Sequence, residues 1–96
     1  MFKQHFSFKV AGLSYYDHDD INPKGDLTAD LIPEPDNKYD PNAIRVYVKG
    51  KHIGYVPQKK TVKVKSILPT VYEIDAYVEL NEEDWEYVEI TIWYKK

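Results

Sequence analysis

Two neighbouring tyrosines, Tyr15 and Tyr16, and the lysines at 49, 51, 59, 60, 63 and 65 are the side chains whose types and spacing point most directly to chemistry. Paired aromatic rings at the end of a strand offer faces on which unpaired bases stack, worth roughly 1 to 3 kcal/mol per base. Lysines supply the phosphate contacts that hold a nucleic-acid backbone. Each feature also has a plainer explanation, since tyrosines fill the mouths of small barrels and lysine runs form solvated faces. Residues 1 to 48 carry five basic and eight acidic side chains, 49 to 68 carry six lysines and no acid, and 69 to 96 carry two basic and eight acidic. A basic stretch therefore lies inside a chain whose formal net charge is -3. That pattern says more about a partner than the total does, and the total argues against a binder of polyanions that works by bulk charge.

Other chemistries lack their residues. With no cysteine there is no thiolate nucleophile, disulfide or cysteine zinc site. The four glycines at 12, 25, 50 and 54 form no phosphate loop, and there is no Gly-x-Ser-x-Gly. His18 sits among Asp17, Asp19 and Asp20, an oxygen-rich loop without the spacing of a calcium-binding EF-hand. The acids Glu82, Glu83 and Asp84 fall in a turn, where no burial raises a carboxyl pKa. We expect no catalytic residue, no bound metal and no cofactor. No run approaches the roughly 20 apolar residues of a membrane helix, and no signal segment is evident, so the expectation is a soluble, cytoplasmic protein with no membrane contact.

The elements that must position these residues read as strands. Ninety-six residues suit a single domain, 1–96. Nine Tyr, two Trp and three Phe, with many Val, Ile and Thr, favour an all-β fold. Phe6, Phe8 and Val10 alternate with Ser7 and Lys9, as in a strand with one buried face. Leu27, Ala29 and Leu31 form a weaker run that must end by Pro33. Ile44, Val46 and Val48 lead through Lys49-Gly50-Lys51 into residues 52–56, a tight hairpin that turns Arg45 and Tyr47 to the face away from the core. Tyr72, Ile74, Ala76, Val78 and Leu80 share one face of a long strand, and Val88, Ile90 and Ile92 share one face of the next. Trp85, Tyr87 and Trp93 are assigned to the opposite face. Residues 58 to 68 mix strand and helix periods, and Pro57 and Pro69 bracket a short helix there. About six strands with one or two short helices predict a small antiparallel barrel of OB-like or SH3-like form.

Three blocks also carry a resemblance. Phe8-Lys9-Val10-Ala11-Gly12-Leu13-Ser14-Tyr15-Tyr16, then Leu31 through Val46 with Glu34-Pro35-x-Asn37-x-Tyr39-Asp40-x-Asn42-Ala43-Ile44 inside it, then Ile53-Gly54-Tyr55-Val56-Pro57, resemble the HIRAN domain in order and spacing. The match runs from about residue 6 to 68, and the last two strands, in 69–96, match in pattern alone. The resemblance implies an OB-like barrel that binds single-stranded DNA or a DNA end, stacking bases on Tyr15 and Tyr16 and bonding a terminal 3′ hydroxyl through Asp40. Tyr39, Arg45, Tyr55, Lys59 and Lys60 complete the nucleic-acid-binding candidates, with Arg45, Lys59 and Lys60 as compensating cations. It implies a domain that accompanies an ATPase or nuclease in larger relatives and serves DNA repair, and a free-standing copy resembles bacterial or phage versions.

Three positions depart from the family's DNA binders. Ser14 stands where they have arginine, Tyr55 where they have histidine, and Gln58 near a lysine, which removes polar or cationic contacts. Asp40 and Asn42 have a local reading too, because such side chains fix turns that lead into strands. A module that docks proteins through exposed aromatics is the alternative function.

Overall fold

The computed structural model describes residues 3–16 and 18–95, with the backbone alone for Lys3. Six strands form one antiparallel sheet: β1 (Lys3–Lys9), β2 (Leu27–Pro33), β3 (Ile44–Val48), β4 (Lys51–Tyr55), β5 (Val71–Asn81) and β6 (Asp84–Lys95). Their order is β1-β6-β5-β2-β3-β4. Among the described residues one α-helix, α1 (Thr61–Ile67), follows β4. This is the expected all-β architecture of OB-like type with one short helix.

The two edges of the sheet meet. Past the end of β1, Val10 still donates to the Val88 carbonyl at 2.9 Å, and Ala11 then pairs with Tyr55 of β4 in both directions, at 2.8 and 2.9 Å. That bridge closes the sheet on itself, which removes a free edge. Gly54 permits the crossing. A Cβ there would lie 2.4 Å from Val10 Cγ1 and 2.5 Å from the Ala11 carbonyl oxygen, so any side chain would push the two backbones apart.

Burial follows the alternation. Ile44, Val46 and Val48 of β3, Ile53 of β4 and Val88, Ile90 and Ile92 of β6 are shut from solvent, with Phe8, Leu27, Ala29 and Leu31 packed around them. Each such aliphatic side chain contributes about 1.5 to 3 kcal/mol through its removal from water. Helix α1 seals the barrel with Thr61, Val64 and Ile67 at a spacing of three, and Pro69 lies in the 3-10 turn that follows. The β3–β4 hairpin turns on Lys49 and Gly50, both with positive φ, so β4 begins one residue before the expected His52.

Two residues sit on the other face from the one their alternation predicts, and each case is a bulge. Between β5 and β6, Val71 pairs with Tyr94 and Glu73 with Trp93, which leaves Tyr72 as an extra residue on β5. Val71 therefore packs on the core while Tyr72 is 43% exposed. On β6, Tyr87 pairs with Glu79 but Trp85 pairs with Leu80, so Glu86 is the extra residue and Trp85 swings in against the core. An unpaired residue shifts the side-chain period by one, which strict alternation cannot anticipate.

Candidate nucleic-acid interface

The closing bridge also helps to build a cleft on the surface. After Ala11, Gly12 takes a left-handed φ of 76° and Leu13–Tyr15 form a single 3-10 turn, with Tyr15 N donating to the Gly12 carbonyl at 3.0 Å and Tyr16 N to that of Leu13 at 3.2 Å. This tight turn gives the two tyrosines different exposure. Tyr15 is flung outward, 87% exposed. Tyr16 folds back over β4, its ring centre 4.3 Å from that of His52 and 6.2 Å from that of Tyr55. The Tyr47 ring centre lies 5.3 Å from that of His52. The two rings flank Gly12, a ring carbon of each lying 3.9 Å from where a Cβ would stand there, and Tyr16 continues into a cluster with His52, Tyr55 and Tyr47.

His52, whose lone position in the sequence gave no ligand signal, is the centre of that cluster. Its Nε2 donates to the Gly54 carbonyl at 2.9 Å. Burial among the rings holds its pKa below the ordinary value, the Gly54 bond partly opposing this and the nearby Arg45 charge adding to it. Burial likewise pushes the Tyr55 hydroxyl up, with Tyr16 and Glu34 adding to it.

The loop from Glu34 to Ala43 forms the opposite wall, and its own side chains fix it. Asn37 Oδ1 accepts from the backbone N–H of Tyr39 at 2.8 Å and of Asp40 at 2.9 Å, and Asp40 Oδ1 accepts from Asn42 N at 2.9 Å. Ala43 N donates to the Asp40 carbonyl at 3.0 Å, and Glu34 N to that of Ala43 at 2.8 Å. These are turns of the Asx kind, built by the side chains of Asn37 and Asp40, the local role weighed for Asp40. Asn42 in turn accepts from Lys65 Nζ at 3.1 Å.

Glu34 ties this loop to the sheet. Its carboxylate accepts from Asn37 Nδ2 at 2.6 Å, forms a short ion pair with Arg45 Nε and lies 3.5 Å from the Tyr55 hydroxyl. The Asn37 bond does most to hold its pKa below the usual carboxylate range, with Arg45 assisting against desolvation. Arg45 also donates to the Tyr47 hydroxyl at 3.1 Å, and both partners push its pKa up. Its guanidinium is thus committed to Glu34 and Tyr47, on a half-exposed face as expected.

Between these walls lies a cleft of about 430 Å³ lined by Ala11, Asn37, Tyr39, Asp40, Ala43, Tyr55, Val56 and Gln58. Tyr39, Asp40 and Tyr55 of the sequence candidates share it. Tyr39 is 97% exposed, a ring held by its backbone and open to solvent. Arg45 borders a neighbouring depression of about 320 Å³ that shares Asn37 and Tyr39. Lys59 and Lys60 lie in the 3-10 turn Gln58–Lys60 at the cleft's edge, and Lys60 Nζ reaches 5.5 Å from the Phe6 ring centre.

The basic stretch does not converge on one spot. Lys51 pairs with Asp20 at 2.5 Å, Lys63 lies over Phe6 and Tyr94, and Lys65 reaches Asn42. Of the acidic loop, Asp20 serves Lys51 and the His18 ring stacks on Trp85 at 4.1 Å; Asp17 lies outside the described residues. No group of three or more His, Asp or Glu that could hold a metal occurs among the described residues, and no helix there is long and apolar enough to cross a membrane.

Glu34, Asn37, Tyr47, His52, Ala11 and Gln58 all enter the site although none was singled out as a binding candidate. The signal for Asn37 was its fixed place three residues before Asp40 and three after Glu34. No spacing rule foretells that His52 packs against both Tyr16 and Tyr47.

The family model described as HIRAN domain matches residues 3–96. The chain is also similar to a solved structure, the crystal structure of the HIRAN domain of human HLTF, with 21% identity over 96% of this chain and 77% of that one and a TM-score of 0.62. Comparison with curated proteins finds no match. The family match extends through both closing strands, which the sequence blocks alone did not reach, and the chain belongs to the HIRAN domain family.

Proposed function

We propose that this domain captures the 3′ end of single-stranded or frayed DNA in the cleft between Ala11 and Tyr39. Membership of the HIRAN family and the likeness to the HIRAN domain of HLTF support the coarser part of this reading, a nucleic-acid-binding module. The end selectivity rests on one observation: a carboxylate, Asp40, and a solvent-open ring, Tyr39, line the same cleft. A carboxylate repels a phosphodiester but accepts a hydrogen bond from a hydroxyl, so Asp40 favours a chain that ends there over one that continues. One of its two oxygens is committed to Asn42 N, which orients the carboxylate. The stacking faces in this reading are Tyr39 and Tyr15, with Tyr16 and Tyr55 as the floor behind them. Lys59 and Lys60 draw in the phosphates, and an ATPase or nuclease partner does the chemistry on the captured end.

Fluorescence anisotropy with short single strands ending in a 3′ hydroxyl or a 3′ phosphate tests it. Asp40→Asn retains an Oδ1 acceptor for Asn42 N and removes the charge. The expected result is tighter binding of the hydroxyl end by the wild type and loss of that preference in the variant. Equal binding of both ends refutes end recognition, and no binding at low salt refutes nucleic-acid binding altogether.

A further inference from the structure

The outer face of β5 and β6, on the acidic part of the chain, takes no part in the cleft. Tyr77 pairs across the ladder with Glu89, and Glu79 with Tyr87, so rings and carboxylates alternate both along each strand and between strands. Trp93 extends the row, its Nε1 donating to Asp75 Oδ2 at 2.9 Å. Tyr77 is 56% exposed and its hydroxyl donates to Glu79 at 3.1 Å. Lys9, opposite Glu89 on β1, already rests its Nζ 4.2 Å from the centre of the Tyr87 ring. That contact displays the chemistry the face offers: a cation over an aromatic ring with a carboxylate at its side. Glu79 and Glu89 raise the pKa of both tyrosine hydroxyls, after a direct bond to Glu79 for Tyr77 and after burial for Tyr87.

We propose that this checkered face docks an extended arginine- and lysine-rich segment of a partner protein. Side chains two apart on a strand stand about 7 Å apart on one face, so basic residues at every second position of an extended segment meet successive ring–carboxylate pairs. The charge of the closing strands, eight acids against two lysines over 69–96, is complementary to such a segment and repels a nucleic-acid backbone. The proposal is independent of the end-capture reading.

Titration of the isotope-labelled full chain with an oligo-arginine peptide, followed by NMR, tests it. The expected result is shift changes concentrated at Tyr77, Glu79, Tyr87 and Glu89. A cation–π contact is worth about 0.5 to 1 kcal/mol, so Tyr77→Ala and Glu79→Gln should each weaken the peptide about two- to five-fold and leave DNA anisotropy unchanged. Glu82→Gln with Glu83→Gln removes two charges from the neighbouring turn, one more than Glu79→Gln removes from the face, and should still have less effect than either face variant. If the turn variant weakens the peptide as much as the face variants do, or if the shifts spread over all acidic surfaces, bulk charge explains the binding and the docking face is refuted.

Discussion

Replacing Gly54 by alanine tests how closely barrel closure and the cleft depend on one another. The new methyl would sit 2.4 Å from Val10 Cγ1 and 2.5 Å from the Ala11 carbonyl oxygen, and the second of these is backbone, which cannot rotate away. Relief requires β4 and the Val10–Ala11 segment to separate, and the two hydrogen bonds between Ala11 and Tyr55 are the first casualties. Each is worth about 0.5 to 1.5 kcal/mol net, and overpacking costs about 1 to 3 kcal/mol more, so the expected loss is about 4 kcal/mol. A domain of this length has a stability of about 5 to 15 kcal/mol in all, so the variant should fold but only marginally. With a urea slope of about 1.2 kcal/mol per molar, the midpoint falls by about 3 M. Gly50→Ala is the comparison: its φ is also positive, 77° against 157° at Gly54, but a Cβ there meets no atom within 4 Å, so it reports backbone strain alone, about 1 to 2 kcal/mol. A Gly54→Ala loss no larger than that of Gly50→Ala in urea melts would refute the argument that close approach at residue 54 closes the sheet.

The two tyrosines should separate by assay: Tyr15→Ala lowers single-strand affinity by about five-fold or more with an unchanged melting temperature, whereas Tyr16→Ala lowers both, as anisotropy and thermal melts will show. Because burial holds His52 below its ordinary pKa of 6.5, the unfolded chain takes up that proton first. Stability is therefore full above about pH 6.5 and falls as the pH drops from there toward the folded-state pKa; melts between pH 8 and 5 should show the slope, and His52→Gln should flatten it. Lys59→Ala with Lys60→Ala should make the dependence of DNA affinity on salt shallower by about one to two in log–log slope, measured by anisotropy across a salt series.

Regular alternation made the strands legible. Phe8, Leu27, Ala29, Leu31, Ile44, Val46, Val48 and Ile90 are buried where a period of two puts them, because a half-buried strand has no other economical arrangement. Tyr72 and Trp85 escaped it because nothing in their own types signals an inserted bulge residue. At the site, the run from Glu34 to Asn42 announced a fixed turn, since the Asn37 and Asp40 side chains bond nearby backbone. The ion pair of Glu34 with Arg45 spans eleven positions and the ring contact of Tyr16 with His52 thirty-six. Contacts of that range depend on how the sheet closes, which no local pattern encodes.

The clasp that joins the barrel's edges is one residue pair, Ala11 with Tyr55, whereas the ladders on either side of it, β1–β6 and β3–β4, run for seven and four pairs. Opening at that seam breaks two backbone hydrogen bonds and leaves the rest of the sheet zipped, so it is among the least costly ways for this fold to breathe. Both halves of the seam line the cleft. An occupant that touches both would act as a splint: its affinity is lessened by whatever fraction of the time the seam stands open, and in return it suppresses that motion by the same free energy.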